Sequence, residues 1–147
     1  MSQMKHQVRI QASLEAVYRA LTTEEGLRAW WIGDSVAEPR VGAVAEFRYG
    51  DNGPLLRMRI SELVPESRVV WECLGEDEEW KGTRIVWQLK AAEGATDVVL
   101  NHTDWVSNEG SFGTCNAIWG SSLYRLKGFT EGKSPDPFFP GRGKGPS

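Results

Sequence analysis

Apolar residues change their spacing three times along this chain. Val8 and Ile10 alternate with Arg9 and Gln11, the period of a strand with one face inward. From Leu14 the spacing becomes helical, with Leu14, Val17, Tyr18 and Leu21 on one stripe and Ser13 as the N-cap. Thr22 with Glu25 fits a capping box for a second, short helix running into Trp30 and Trp31. Between Gly42 and Trp105 the period is two and turn residues interrupt it at hairpin intervals, which predicts an antiparallel meander. Ala45, Phe47 and Tyr49 form one apolar face before the reversal Asp51-Asn52-Gly53-Pro54. Leu56, Met58 and Ile60 return. After Pro65 to Ser67, Val69, Trp71 and Cys73 face one way. After the acidic run Glu76 to Glu79, so do Ile85, Trp87 and Leu89 within Thr83 to Leu89. Past the turn Ala92 to Thr96, the strand from Asp97 to about Asp104 turns Val98, Leu100 and His102 inward. The helical period then returns. Phe112, Cys115, Trp119, Leu123 and Leu126 make one stripe ending near Gly132, and a helix of about 22 residues is roughly 33 Å long.

This order predicts an α+β fold in which a strongly curved antiparallel sheet wraps the last helix, with two short helices closing one end. Gly113, Gly120 and Gly128 lower the propensity of that helix, so packing must hold it. The 147 residues suit one domain over 1–132. The segment 133–147 is rich in Pro and Gly and reads as a loose tail, with Phe138 and Phe139 as its anchors.

Composition narrows the function. Seventeen Lys plus Arg against 20 Asp plus Glu give a net charge of −3, without the basic excess that a phosphate backbone demands, so nucleic acid is not an expected partner. No apolar run reaches the roughly 18 to 20 residues of a membrane span, and Met1 to His6 lacks a signal-peptide centre, so a cytoplasmic location is expected. Cys73 and Cys115 lack Cys-x-x-Cys spacing and read as two buried thiols. No metal or cofactor motif is present. Gly132-Lys133-Ser134 only imitates the end of a phosphate loop and reads as a helix terminus.

A curved sheet and a straight helix leave space between them. A dry void of roughly 300 Å³ would cost about 7 kcal/mol, comparable with a whole domain's roughly 5 to 15 kcal/mol, so ligand, water or side chains must occupy it. The reading taken is a cavity for a small hydrophobic or aromatic molecule, narrowed by Trp71, Trp87 and Trp119 and walled by Phe47, Met58, Phe112, Cys115 and Leu123. Filling of the same space by the Trp rings is the competing reading. Trp30 and Trp31 either gate the mouth or seal the short helices to the sheet.

Leu21-Thr22-Thr23 followed by Trp30-Trp31, the strand Thr96-x-Val98-x-Leu100-x-His102, and the closing Trp119-x-x-x-Leu123-x-x-Leu126-Lys127-x-x-x-Glu131-Gly132 resemble the SRPBCC superfamily. Within it they are most similar to the branch of the C-terminal domain of the Hsp90 ATPase activator. The resemblance spans about residues 5 to 132. It implies a helix-grip fold with a central cavity for hydrophobic ligands, and relatives that include lipid carriers, polyketide cyclases and co-chaperone domains. Ser107-Asn108-Glu109-Gly110 departs from the pattern by giving the last helix a polar entry.

Ligand binding is therefore the first functional expectation, with His102 orienting one polar group. The second is a cyclase or hydrolase using His102 and Asp104, because a carboxylate can orient an imidazole as acid or base. A lone inward His is more often satisfied by a neighbouring backbone carbonyl, so no catalytic residue is assigned; Glu72 reads as an exposed strand carboxylate. Cys115 lacks a neighbouring base and reads as inert. The third is a protein-interaction module of the co-chaperone type, ranked last on the expectation that no segment before Met1 supplies the activator's partner domain. Homodimerisation is left open.

Overall fold

The computed structural model describes residues 2–48, 55–74, 80–133, 135 and 137. Its elements run β1 (Ser2–Ile10), α1 (Leu14–Thr22), α2 (Glu24–Trp30), β2 (Asp34–Val36), β3 (Val44–Arg48), β4 (Leu55–Val64), β5 (Arg68–Leu74), β6 (Arg84–Ala92), β7 (Ala95–Trp105) and α3 (Phe112–Thr130). The strands form one antiparallel sheet of seven in the order β1-β7-β6-β5-β4-β3-β2. The meander thus runs strand by strand, and the first strand returns to pair with the last, Val8 opposite Val98. The chain is an α+β helix-grip, as expected. The reversal at 51–54, the acidic run at 76–79, Tyr49, Phe138 and Phe139 lie outside the described residues.

Alternation puts one face of each strand inward. Ala45 and Phe47 on β3, Met58 and Ile60 on β4, Val69 and Trp71 on β5, Ile85 and Trp87 on β6, and Val98 and Leu100 on β7 are all buried. They face Cys115, Trp119, Leu123 and Leu126 on α3, which are buried too. The opposite strand faces carry ion pairs such as Arg57–Glu46 and Arg59–Glu72.

Two of the local readings shift and two stand. Ser13 caps α1, its Oγ accepting from Ala16 N at 3.1 Å. The cap of α2 is Thr23, one residue later than expected: Thr23 Oγ1 accepts from Gly26 N at 3.0 Å, while Thr22 closes α1 by donating to Tyr18 O. Strand β2 was not foreseen, since Asp34-Ser35-Val36 is too short to show a period. Helix α3 stops at Thr130, where Gly132 at φ +93° lets Gly132 N reach Phe129 O and Lys133 N reach Gly128 O, a Schellman cap. Gly132 and Lys133 of the phosphate-loop imitation belong to that cap.

Helices α1 and α2 meet closely. A Cβ on Gly26 would lie 2.7 Å from the Ala20 backbone, and Trp30 Nε1 donates to Ala20 O at 2.9 Å. The absent side chain lets α2 fold back on α1 and delivers Trp30 and Trp31 to the space between sheet and α3.

Candidate functional site

Trp31, at the C-cap of α2, occupies the centre of the grip. Its ring stacks on Trp119 at 5.1 Å, on Trp71 at 5.8 Å and on Trp30 at 6.0 Å, and tilts against Phe47 at 4.8 Å between centroids. Trp87 stands edge-on to Trp30, Trp71 and Trp119 at 5.7 to 5.9 Å. These are contact distances for aromatic pairs, each contributing about 0.5 to 1.5 kcal/mol beyond its buried area. All five indoles are no more than 3% exposed. Side chains occupy this part of the hollow, and Trp30 and Trp31 lie deep in the core.

A second cluster continues from Trp119 toward the start of α3. Trp80 lies 6.5 Å from Trp119 and 6.2 Å from Trp105, and Trp105 meets Phe112 edge-on at 5.2 Å. Through these contacts all seven Trp of the chain join one network.

His102 sits inside this cluster, fully buried on β7, with Trp80 and Trp105 edge-on at 4.7 and 4.9 Å. Its Nδ1 lies 3.0 Å from Trp119 Nε1. An indole N–H can only donate, so Nδ1 is the bare acceptor and Nε2 carries the proton. That proton is donated to Thr83 Oγ1 at 2.8 Å, and the Thr83 hydroxyl donates onward to Trp80 O at 2.6 Å. Every polar atom in the chain of bonds has one consistent role. Burial lowers the His102 pKa from 6.5 to about 3, so the ring stays neutral.

The expected pairing of His102 with Asp104 is not made. Asp104 takes a left-handed backbone at φ +67°, which breaks the strand alternation: His102 is buried, Asp104 half-buried and Trp105 buried again. Asp104 Oδ2 accepts instead from Thr103 Oγ1 at 3.0 Å. Glu72 faces away and pairs with Arg59 Nη1 at 3.1 Å. Cys115 Sγ accepts from Trp80 Nε1 at 3.3 Å.

Of the residues predicted from the sequence, the structure brings Trp30, Trp31, Phe47, Trp71, Trp87 and Trp119 into mutual contact, places His102, Phe112 and Cys115 in the adjoining cluster, and buries Met58 and Leu123 in the same core. Trp80, Thr83 and Trp105 were missed. Trp80 follows four acidic residues and reads as part of a solvated loop, and Thr83 carries no signal beyond strand propensity. Among the described residues, open grooves lie outside the grip. One of about 280 Å³ runs between α1, the start of α2 and Phe129; one of about 470 Å³ lies beside Tyr124 and Gly128. No group of three or more His, Cys, Asp or Glu among them is placed to hold a metal, and no helix is long and apolar enough to cross a membrane.

Comparison with known proteins follows the architecture. The family model described as "Activator of Hsp90 ATPase homolog 1-like protein" matches residues 11–131. None of the curated protein sequences compared with the chain matches it. Among solved structures, the Aha1 dimer from Colwellia psychrerythraea is 34% identical, with a TM-score of 0.84 over 92% of this chain and 100% of that one. A protein from Staphylococcus saprophyticus is 17% identical, with a TM-score of 0.77 over 94% and 98% of the two chains. DynU16, from the dynemicin biosynthetic locus, is 21% identical, with a TM-score of 0.76 over 91% of this chain and 49% of that one. The last two share the fold.

Proposed function

Because the chain belongs to the family of Activator of Hsp90 ATPase homolog 1-like proteins, we propose that it works through its surface, as a protein-interaction module of the co-chaperone kind acting in the cytoplasm, with residues 1–132 as the working unit. The observation that carries this reading is the stacking of Trp31 against Trp119, Trp71 and Trp30. A grip packed with its own rings has little need of a cargo for stability, which turns attention to the outside of the molecule. The match takes in 100% of the solved Aha1 chain of Colwellia psychrerythraea, which supports placing the co-chaperone reading in this domain. That protein forms a dimer, and we extend the same assembly to this chain. His102, neutral and bonded at both nitrogens, serves here as a structural group.

The partner proposed is an Hsp90-type chaperone. Calorimetric titration of the chaperone with this protein, alongside the chaperone's rate of ATP hydrolysis, tests it. Binding with a changed hydrolysis rate is expected; no heat and no change in rate would sink the reading.

A second reading keeps a small hydrophobic molecule in the grip, next to Trp87, Trp105 and His102. It is favoured by Trp87 Nε1, Trp105 Nε1 and Ser122 Oγ, which are buried without a hydrogen-bond partner among the described residues. An acceptor group on a bound molecule would satisfy them. Native mass spectrometry of freshly purified protein distinguishes the two: added mass supports the carrier.

A further inference from the structure

The two edges of the sheet are built differently. Along β1 the exposed side chains are Gln3, Lys5, Gln7 and Arg9, and α3 ties down the end of the strand: Lys127 Nζ donates to Arg9 O at 3.1 Å, and Glu131 Oε2 accepts from Gln11 N at 2.7 Å. Polar side chains and capped backbone groups are how a sheet edge is protected from further pairing. The opposite edge lacks that protection. Among the described residues, β2 pairs with Glu46, Phe47 and Arg48 alone, and no strand lies beyond Val44 and Ala45 of β3.

That edge is also apolar. Among the described residues, six large apolar side chains are exposed, and three of them are Val36 on β2, Val41 just before β3 and Val44 on β3. Val36 and Val44 are 54% and 44% exposed. The register sets Val36 opposite Glu46, on the same face as Val44, which lies opposite Arg59. Three ion pairs lie beside these valines: Glu46 with Arg57, Arg59 with Glu72, and Arg40 with Glu38. An apolar edge flanked by internally paired charges has no excess of either sign to repel its own copy. Such a patch suits a two-fold contact, in which the same surface supplies both sides.

We infer that the edge formed by Val36, Val44 and Val41 is where a second copy of this chain docks. The inference rests on the dimer reading given above. The partner copy covers the valines and the open backbone of β3, while the β1 edge stays outside the contact.

Sedimentation equilibrium over a micromolar concentration series tests it, on wild type, on the double variant V36E/V44E and on the control Gln7→Glu. The expected result is a wild-type dimer, an unchanged control, and a dissociation constant raised about a hundredfold in the double variant, whose carboxylates would have to be desolvated at the contact. A wild-type dimer that V36E/V44E leaves intact overturns the edge assignment and spares the dimer. A monomeric wild type overturns both. Cross-linking covers the case in which the double variant fails to fold. A short bis-maleimide should join chains carrying Val41→Cys and leave Gln7→Cys chains single, since Cys73 and Cys115 are buried. The reverse pattern overturns the assignment.

Discussion

The indole N–H of Trp119 on α3 donates to Nδ1 of His102 on β7 across 3.0 Å. This bond joins the helix to the sheet in the middle of an aromatic core, and it selects the His102 tautomer that in turn binds Thr83. Trp119→Phe keeps a flat apolar ring and removes the donor, leaving a buried bare nitrogen. The variant should lose about 1 to 3 kcal/mol of stability, read from urea unfolding midpoints. An unchanged midpoint would mean the bond contributes nothing.

Stability should also depend on pH through His102. Its folded pKa, about 3, lies below the ordinary 6.5 because burial penalises the charged ring. Above pH 6.5 neither state takes up the proton. Below it the unfolded chain does and the folded one does not, so stability falls with acid by about 1.4 kcal/mol per unit, or about 2 kcal/mol between pH 6.5 and 5. Asp97 beside Arg9 and Glu131 beside Lys127 are held below the usual carboxylate range and act in the same direction only at more acid pH. Denaturant titrations of wild type and His102→Gln at pH 7 and pH 5 should show the dependence in wild type and lose most of it in the variant.

Trp31→Ala would empty the centre of the ring cluster. Large-to-small changes at such a site cost about 3 to 5 kcal/mol. The resulting space is walled by Trp30, Phe47, Trp71 and Trp119, and it should accept an indole from solution. Added indole is expected to raise the melting temperature of Trp31→Ala and leave wild type unmoved. Equal shifts in both would show that wild type already holds an accessible cavity.

Gly26→Ala tests the close meeting of α1 and α2. A helical alanine ordinarily stabilises, yet here its methyl would lie 2.7 Å from Ala20 backbone atoms. A net loss of about 1 to 3 kcal/mol is expected from overpacking, measured by thermal unfolding. A gain would show that the two helices separate freely.

The meander and α3 were legible because their periods of two and 3.6 persist over many residues. Phe47, Trp71, Trp87 and Trp119 fall on inward positions by that count alone. What lay hidden depended on single residues. Thr22 and Thr23 are adjacent and chemically alike, and the capping-box spacing to Glu25 pointed to the wrong one of the two. Asp104 breaks the alternation by one left-handed backbone angle, which removed the expected carboxylate from His102 and brought Trp105 inward. The contents of the grip were undecided for a further reason: the rings at Trp30 and Trp31 belong to a short helix whose approach is set by Gly26, a tertiary contact invisible in any local pattern.

The pairing of β1 with β7, Val8 beside Val98, also bears on how the molecule is made. A chain emerging from the ribosome exposes its first strand long before its neighbour exists, and α3, which packs beside that strand, appears later still. Until then the inward side of the nascent first strand, Met4, Val8 and Ile10, lacks its native cover. Final closure of the sheet and its helix therefore waits until α3 has been made, and ribosome-bound fragments ending at Trp105 should be sensitive to protease where released chains that include α3 resist.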